Sequence, residues 1–289
     1  MPVGWPVERV KAAFAAECEQ HAPQPKDNLL AQVRQANLYC LALTIEQCGV
    51  RERQRLCKCG ADLGAVKHYC HQHLCLSCQR YKAYKIAKEF EAVLAELRKT
   101  YPGLKILWGT FTLPSCHAEA LGARIKALID GFAKLLRRAP LKAHIIGAVR
   151  VVEFAFNREA QSFHAHLHAL IVVKASYLSK GYLSQQAWLG LWQEATQCSS
   201  ATQVSLKRIN PDAKRSLSLE TNAAELVRYA LKPIVPAQWT PAGLTVLVQA
   251  TRNRRLCEFL GALRPIRKQL KEAKPRCLCQ NCLARDHSQ

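Results

Sequence analysis

The sequence predicts an α+β fold built on an antiparallel sheet, and three observations carry that expectation. Strand-like and helix-like segments are mixed, without the regular alternation a doubly wound parallel sheet needs. Residues 145 to 156 and 163 to 173 form two strand-like runs joined by a six-residue polar loop, 157 to 162, the pattern of a hairpin. Leu121, Ile125, Leu128, Ile129, Phe132, Leu135 and Leu136 recur at spacings of three and four, which makes an amphipathic helix with one face to bury.

The remaining elements follow in order. Residues 1 to 50 read as helical, interrupted by a proline-containing stretch at 21 to 26. Residues 57 to 78 hold five cysteines and three histidines in twenty-two positions, too dense for an ordinary core and too polar for a strand or helix, so they read as a metal knuckle. Ile86, Phe90, Val93, Leu94 and Leu97 then place a helix over residues 81 to 99, with lysines opposite. Pro102 and Gly103 break it, and residues 106 to 113 read as a strand. A helix at 186 to 196, a strand at 204 to 209 and a short helix at 223 to 232 complete the middle of the chain. From Arg252 a basic tail reads as helical up to Pro275, followed by a second cysteine cluster. Four segments result: an N-terminal helical segment (1–50), a cysteine-rich zinc-binding segment with its helix (51–100), a catalytic domain (101–236) and a basic helical tail (237–289).

In these 289 residues, 42 Lys plus Arg stand against 21 Asp plus Glu, and the net charge of +21 is spread along the chain. A polyanion is the partner such a charge suits. No apolar run approaches the roughly 18 residues that would span a bilayer, which argues against membrane insertion. The first 26 residues carry Glu8, Glu17 and Glu19 and no apolar stretch with a cleavage site, so they do not read as a signal peptide. Fourteen cysteines without an export signal point to the cytoplasm and to metal binding rather than disulfides.

Along a strand side chains alternate, so His164, His166 and His168 project from one face while Leu167, Ala169, Ile171 and Val173 enter the core. A cation also needs a third ligand, and hairpin symmetry supplies one. If Phe156 faces Phe163 across the loop, three positions back on each strand put Glu153 opposite His166, with Cβ atoms about 5 Å apart. His166, His168 and Glu153, with His164 as a further candidate, suit Mn²⁺ or Mg²⁺ with positions open to phosphate oxygens. For any single histidine the competing reading is an imidazole facing solvent; three on one face with a matching acid favour the metal.

Glu225, Tyr229 and Lys232 fall on nearly one side of the short helix, which starts at an Asn222–Glu225 capping box and ends before Pro233. A phenol is a weak nucleophile at its free pKa near 10 and needs positive charge beside it, which Lys232 and a metal can supply. Glu225 cannot favour a phenolate, so it suits proton removal from a water or hydroxyl in a second step. Helix capping by Glu225 and a partly buried core position for Tyr229 are the plainer alternatives.

Cys75-x-x-Cys78 has the spacing of half a zinc site. Cys57 and Cys59 lead for the other half, with Cys70, His71 and His73 competing for the same ion. Cys277, Cys279 and Cys282, with His287 nearby, form a second candidate cluster. Cys18, Cys40, Cys48, Cys116, Cys198 and Cys257 read as small core residues. In the basic tail Arg252, Arg254, Arg255, Arg267 and Lys268 are the candidate DNA contacts.

These segments resemble the HUH endonucleases, in which two histidines flank a hydrophobic residue, here His166-Leu167-His168, and a tyrosine follows on a later helix. The nearer resemblance is to the rolling-circle plasmid replication initiators with one tyrosine: an acid-bearing strand (Glu153), then F-H-x-H-x-H (Phe163 onward), then E-x-x-x-Y-x-x-K (Glu225, Tyr229, Lys232). Thr110-Phe111-Thr112-Leu113-Pro114 is similar to that family's threonine-bearing first strand, and Cys75, Cys78 and Arg80 to the cysteines and basic residues before it. The resemblance implies a five-stranded antiparallel sheet of ferredoxin-like topology. It implies nicking of an origin strand through a 5′-phosphotyrosine at Tyr229, with a free 3′ hydroxyl as primer and Glu225 activating the water that ends the cycle. It also implies origin DNA, a host helicase and a host polymerase as partners. A related transposase or mobilisation nuclease is the alternative within the class, and a non-catalytic zinc-dependent DNA-binding regulator is the alternative outside it.

Overall fold

The computed structural model describes residues 26–57, 59–201, 203–212, 217–235 and 238–273. Two short helices, α1 (Lys26–Gln35) and α2 (Tyr39–Glu46), lead into a two-stranded antiparallel hairpin of β1 (Glu52–Leu56) and β2 (Asp62–Lys67). That hairpin occupies part of the segment expected to be too polar for strands. Its strands are exposed almost throughout, so cross-strand pairing rather than burial forms them.

The long helix α3 (Leu76–Thr100) follows, then β3 (Lys105–Thr112), α4 (Leu121–Leu135), the short α5 (Ala139–Lys142), β4 (Ile145–Asn157) and β5 (Ser162–Val173). After α6 (Tyr177–Lys180) and α7 (Gln185–Thr196) come β6 (Val204–Ile209), α8 (Leu219–Ala230), α9 (Pro241–Thr251), β7 (Cys257–Gly261) and α10 (Leu263–Glu272). The main sheet has five strands in the order β6-β3-β5-β4-β7, every neighbouring pair antiparallel. The first four strands, with helices after β3 and β5, give the strand order of a ferredoxin-like β-α-β-β-α-β unit, as the resemblance implied.

The fifth strand lies where a helical tail was expected. β7 pairs with β4, and its approach is close enough to demand glycine: a Cβ on Gly147 would stand 2.4 Å from the Leu260 carbonyl oxygen. Gly261 has φ +63, a conformation glycine adopts without strain. Arg150, on β4, is 3% exposed and anchors β7 through Glu258 at 2.6 Å and the Arg255 carbonyl at 3.1 Å. The tail therefore completes the sheet instead of standing outside it.

The sheet separates two apolar layers. On one face Leu107, Phe111, Ala148, Val152, Leu167, Ala169 and Ile171 pack with α4 and α7. There the indole N–H of Trp192 donates to the Thr112 carbonyl at 2.8 Å, which lets a large ring be buried without an unsatisfied polar atom. On the other face Ile106, Val149, Val151, Leu170 and Val172 pack with α3, α8 and α10. β5 thus changes character along its second face, apolar at Leu170 and Val172 under the helices and imidazole-bearing at His164, His166 and His168 beyond them. Among the described residues no helix is long and apolar enough to cross a membrane.

Candidate metal and tyrosine site

The β4–β5 register is the one hairpin symmetry predicts: Phe156 pairs with Phe163, and Glu153 with His166. One Glu153 carboxylate oxygen lies 2.9 Å from His168 Nε2 and 3.4 Å from His166 Nε2. Glu153, His166 and His168 each offer a ligand atom, all within 4.8 Å of one another. His168 is held from behind by β3, where Thr110 Oγ1 lies 3.1 Å from His168 Nδ1 and the Trp108 ring stacks on the imidazole at 4.9 Å. Such outer contacts orient a metal ligand. His166 Nδ1 is buried without a hydrogen-bond partner. Two imidazoles, one carboxylate and an orphaned ring nitrogen fit a divalent cation.

Burial raises the pKa of the Glu153 carboxyl, but hydrogen bonds from His166 and His168 and the charges of His168 and Lys232 outweigh it and hold the group well below the usual carboxylate range. Burial lowers His168 below an ordinary imidazole, against the pull of Glu153. A neutral His168 would withdraw part of what favours the Glu153 carboxylate; Lys232 Nζ, 2.8 Å away, still keeps it ionised. The group is therefore a carboxylate beside a neutral imidazole, the protonation states a cation requires. His164 stands apart: its ring stacks on His166 at 5.5 Å, but its Nδ1 contacts Ser115 Oγ at 3.4 Å and it lines an open pocket with Ser115 and Arg158.

Tyr229 reaches this face from the end of α8. The helix begins four residues before Ala223, at Leu219, where Ser218 Oγ accepts from the Thr221 N–H at 3.1 Å. Asn222 is consequently not a cap; it is buried inside the helix and donates to the Asn210 carbonyl at 2.7 Å. Glu225 and Tyr229 share a helix face one turn apart and both are half-buried. Lys232 lies beyond the C-cap, Leu231, so it does not extend the expected stripe. Released from the helix, its ammonium sits 5.2 Å from the Tyr229 ring centroid and 2.8 Å from Glu153, tying the tyrosine to the carboxylate–imidazole group. Trp108 bridges the same gap, stacked on His168 and edge-on to Tyr229 at 6.5 Å.

The cysteines gather differently from expectation. Cys75 and Cys78, at the start of α3, meet Cys70 and Cys48, with all four sulfur atoms within 4.8 Å. Cys48 Sγ is 3.4 Å and Cys70 Sγ 3.6 Å from Cys78 Sγ, close to the roughly 3.8 Å separation that tetrahedral thiolates about 2.3 Å from zinc would adopt. Cys57 and Cys59 lie at the tip of the β1–β2 hairpin, whereas Cys48 and Cys70 flank its base, where the Gly49 N–H donates to the His68 carbonyl at 2.8 Å. Four paired positions separate tip from base, so Cys57 and Cys59 do not join the group. His71 is exposed, and its backbone N–H donates to Cys78 Sγ at 3.2 Å, so it supports the group as backbone. His73 turns instead into a cavity shared with Lys82, Glu153 and Lys232. Burial pushes the Cys75 thiol up to about 11, and a cation is what would hold it as thiolate.

Of the basic residues assigned to DNA, Arg267 is committed to the fold: it pairs with Glu89 at 2.5 Å and covers the Phe259 ring at 4.2 Å, fastening α10 to α3. Arg255 and Lys268 form exposed ion pairs, with Glu258 at 3.9 Å and Glu272 at 3.8 Å; Arg252 is exposed and Arg254 half-buried. Cys277, Cys279, Cys282 and His287 lie outside the described residues. Sequence reasoning missed Cys48 as a member of the thiol group and Trp108 as the ring behind His168. Alternation held the signal for Trp108, since Trp108, Thr110 and Thr112 share the strand face that pairs with His168 and His166.

Fold and site together define an α+β protein in which a cation-ready carboxylate–imidazole group and a tyrosine share one face of an antiparallel sheet. The chain belongs to the replication protein family Rep_1, whose model matches residues 64–288. It is similar to Protein rep of Streptococcus pneumoniae serotype 2 (strain D39 / NCTC 7466), 27% identical over 246 residues that cover 80% of this chain and 76% of the relative. It is also similar to Protein rep of Lactiplantibacillus plantarum (29% identical, 70% of this chain and 67% of the relative) and of Staphylococcus aureus (30%, 57% and 69%). No solved structure matches the chain at a significant level.

Proposed function

We propose that this protein initiates rolling-circle replication of a plasmid by nicking one DNA strand at the origin with Tyr229. The observation that carries the reading is Lys232, whose ammonium lies beside both the Tyr229 ring and the Glu153 carboxylate, so nucleophile and phosphate site are neighbours. Tyr229 Oη bonds to the scissile phosphorus, the P–O3′ bond breaks, and the departing 3′ oxygen takes up a proton and becomes the primer. Lys232 favours the phenolate by its positive charge. A divalent ion, Mn²⁺ or Mg²⁺, held by Glu153, His166 and His168 would neutralise phosphate oxygens when bound. Glu225, one turn from Tyr229, takes a proton from the water that later cleaves the phosphotyrosine. Cys48, Cys70, Cys75 and Cys78 hold a structural Zn²⁺. A host helicase unwinds the duplex and a host polymerase extends the primer.

The test uses origin-containing single strands with Mn²⁺, the unaltered protein and its Tyr229→Phe variant. A denaturant-resistant protein–DNA adduct is expected from the first and none from the second. No adduct from the unaltered protein would leave a DNA-binding regulator as the better account. His166→Ala should abolish cleavage while leaving salt-dependent DNA binding in place; normal cleavage by that variant would refute the ligand set.

A further inference from the structure

We infer that the exposed face of α3 beside the thiol cluster is a single-stranded DNA track leading to Tyr229, an inference that rests on the proposed nicking of a single strand. Ser77, Arg80, Tyr81, Tyr84, Lys85 and Lys88 are all exposed. At 100° per residue they fall within about 140° of the helix circumference and extend about 17 Å along it. Tyr81 is 52% and Tyr84 55% exposed, two large rings set among cations on a helix whose other side fills the core. Rings among positive charges are how proteins hold unpaired bases: the ring stacks on a base while the cations follow the phosphates.

The platform is built rather than incidental. Tyr69 lies against Tyr81 with ring planes 2° apart and centroids at 5.9 Å, which sets the plane on which a base would continue the stack. Tyr69 immediately precedes Cys70, and α3 starts between Cys75 and Cys78, so the thiol cluster positions both rings.

Charge and position select the occupant. Arg80 and Lys85 have no carboxylate partner among the described residues, and Lys88 pairs with Glu91 at 3.0 Å in an exposed contact that a phosphate can displace. α8 packs against α3, and its Arg228, directly before Tyr229, is exposed and adds a further cation. Lys82, on the flank of the same helix, lines the cavity with Glu153 and Lys232. A strand bound along α3 therefore arrives at the cleavage site. Duplex DNA does not fit this role, because its bases are already stacked.

The test is equilibrium binding of a fluorescent 20-nucleotide single strand and of the matching duplex to the full chain and to Tyr81→Ala/Tyr84→Ala and Tyr81→Phe/Tyr84→Phe variants. Base stacking at the low end of its range is worth about fivefold per ring, so the alanine variant should bind the single strand about 25-fold more weakly, the phenylalanine variant within about twofold, and duplex binding should change less than about twofold. Unchanged single-strand binding by the alanine variant, an equal loss with phenylalanine, or an equal loss on duplex would each overturn the inference. So would a change in oligomeric state without a change in DNA affinity, which would make the face an interface between copies. If the tyrosines govern single-strand binding but the unaltered protein forms no adduct, the track stands and the proposed nicking fails.

Discussion

The bond between Arg150 and Glu258 offers a test of whether β7 belongs to the main sheet, because its two halves should fail unequally. Glu258→Ala leaves Arg150 as a buried cation, 3% exposed, with only the Arg255 carbonyl at 3.1 Å among the contacts described here. Stranding one member of a buried pair costs about 3–5 kcal/mol. Arg150→Met is gentler. Glu258 is 18% exposed and keeps Arg264 at 2.5 Å and Arg255 at 3.9 Å, so no charge is stranded. Loss of the charge-assisted hydrogen bond, partly offset by an apolar side chain in an apolar site, leaves about 1–2 kcal/mol. With a urea slope of about 3 kcal/mol per molar, the midpoint should fall by roughly 1–1.7 M for Glu258→Ala and by about 0.3–0.7 M for Arg150→Met. Equal shifts, a reversed order, or a loss under about 1 kcal/mol for Glu258→Ala would refute the argument that this contact pins β7 to β4.

Three further outcomes follow from the site. Thr110→Val removes the hydroxyl that faces His168 Nδ1 while preserving shape, and should weaken Mn²⁺ binding by about 10- to 100-fold in calorimetric titration; an unchanged affinity would mean that stacking on Trp108 alone orients the ring. Cys48→Ser should reduce bound zinc, measured with a chromophoric chelator after unfolding, whereas Cys59→Ser should leave one equivalent in place; the opposite pattern would restore the hairpin-tip ligands. Gly147→Ala drives a Cβ to 2.4 Å from the Leu260 carbonyl and 2.5 Å from Leu263 Cδ1, and should cost about 1–3 kcal/mol in the same urea experiment, with no loss counting against the described approach of β7.

Much of the site was legible because it depends on short-range geometry. The β4–β5 hairpin is closed by a short loop, so counting from Phe156 and Phe163 suffices to bring Glu153 to His166. The period of two along β5 separates the imidazoles from Leu167 and Ala169 without knowledge of any neighbour. The same logic misjudged α8. Glu225 three residues after Asn222 resembles a capping box, yet Ser218 caps the helix, because Leu219, Ala223 and Leu226 are buried against α3 and draw the helix back by four residues. Local hydrogen-bond signals compete poorly with a buried apolar face.

Composition, alternation and loop length were enough to specify an antiparallel α+β protein of strongly basic charge, with imidazoles and a carboxylate on one face of a strand pair and a tyrosine on a later helix. Those features arise within one strand pair or one helical turn, where backbone geometry alone sets which side chains meet. Tertiary structure decided the rest. It drew Cys48, in the turn after α2, to Cys70, Cys75 and Cys78 in preference to the nearby Cys57 and Cys59, placed β7 at the sheet edge, and turned Lys232 from the helix toward Glu153. Each of these contacts joins separate elements, so it depends on how the layers pack, which no local spacing encodes.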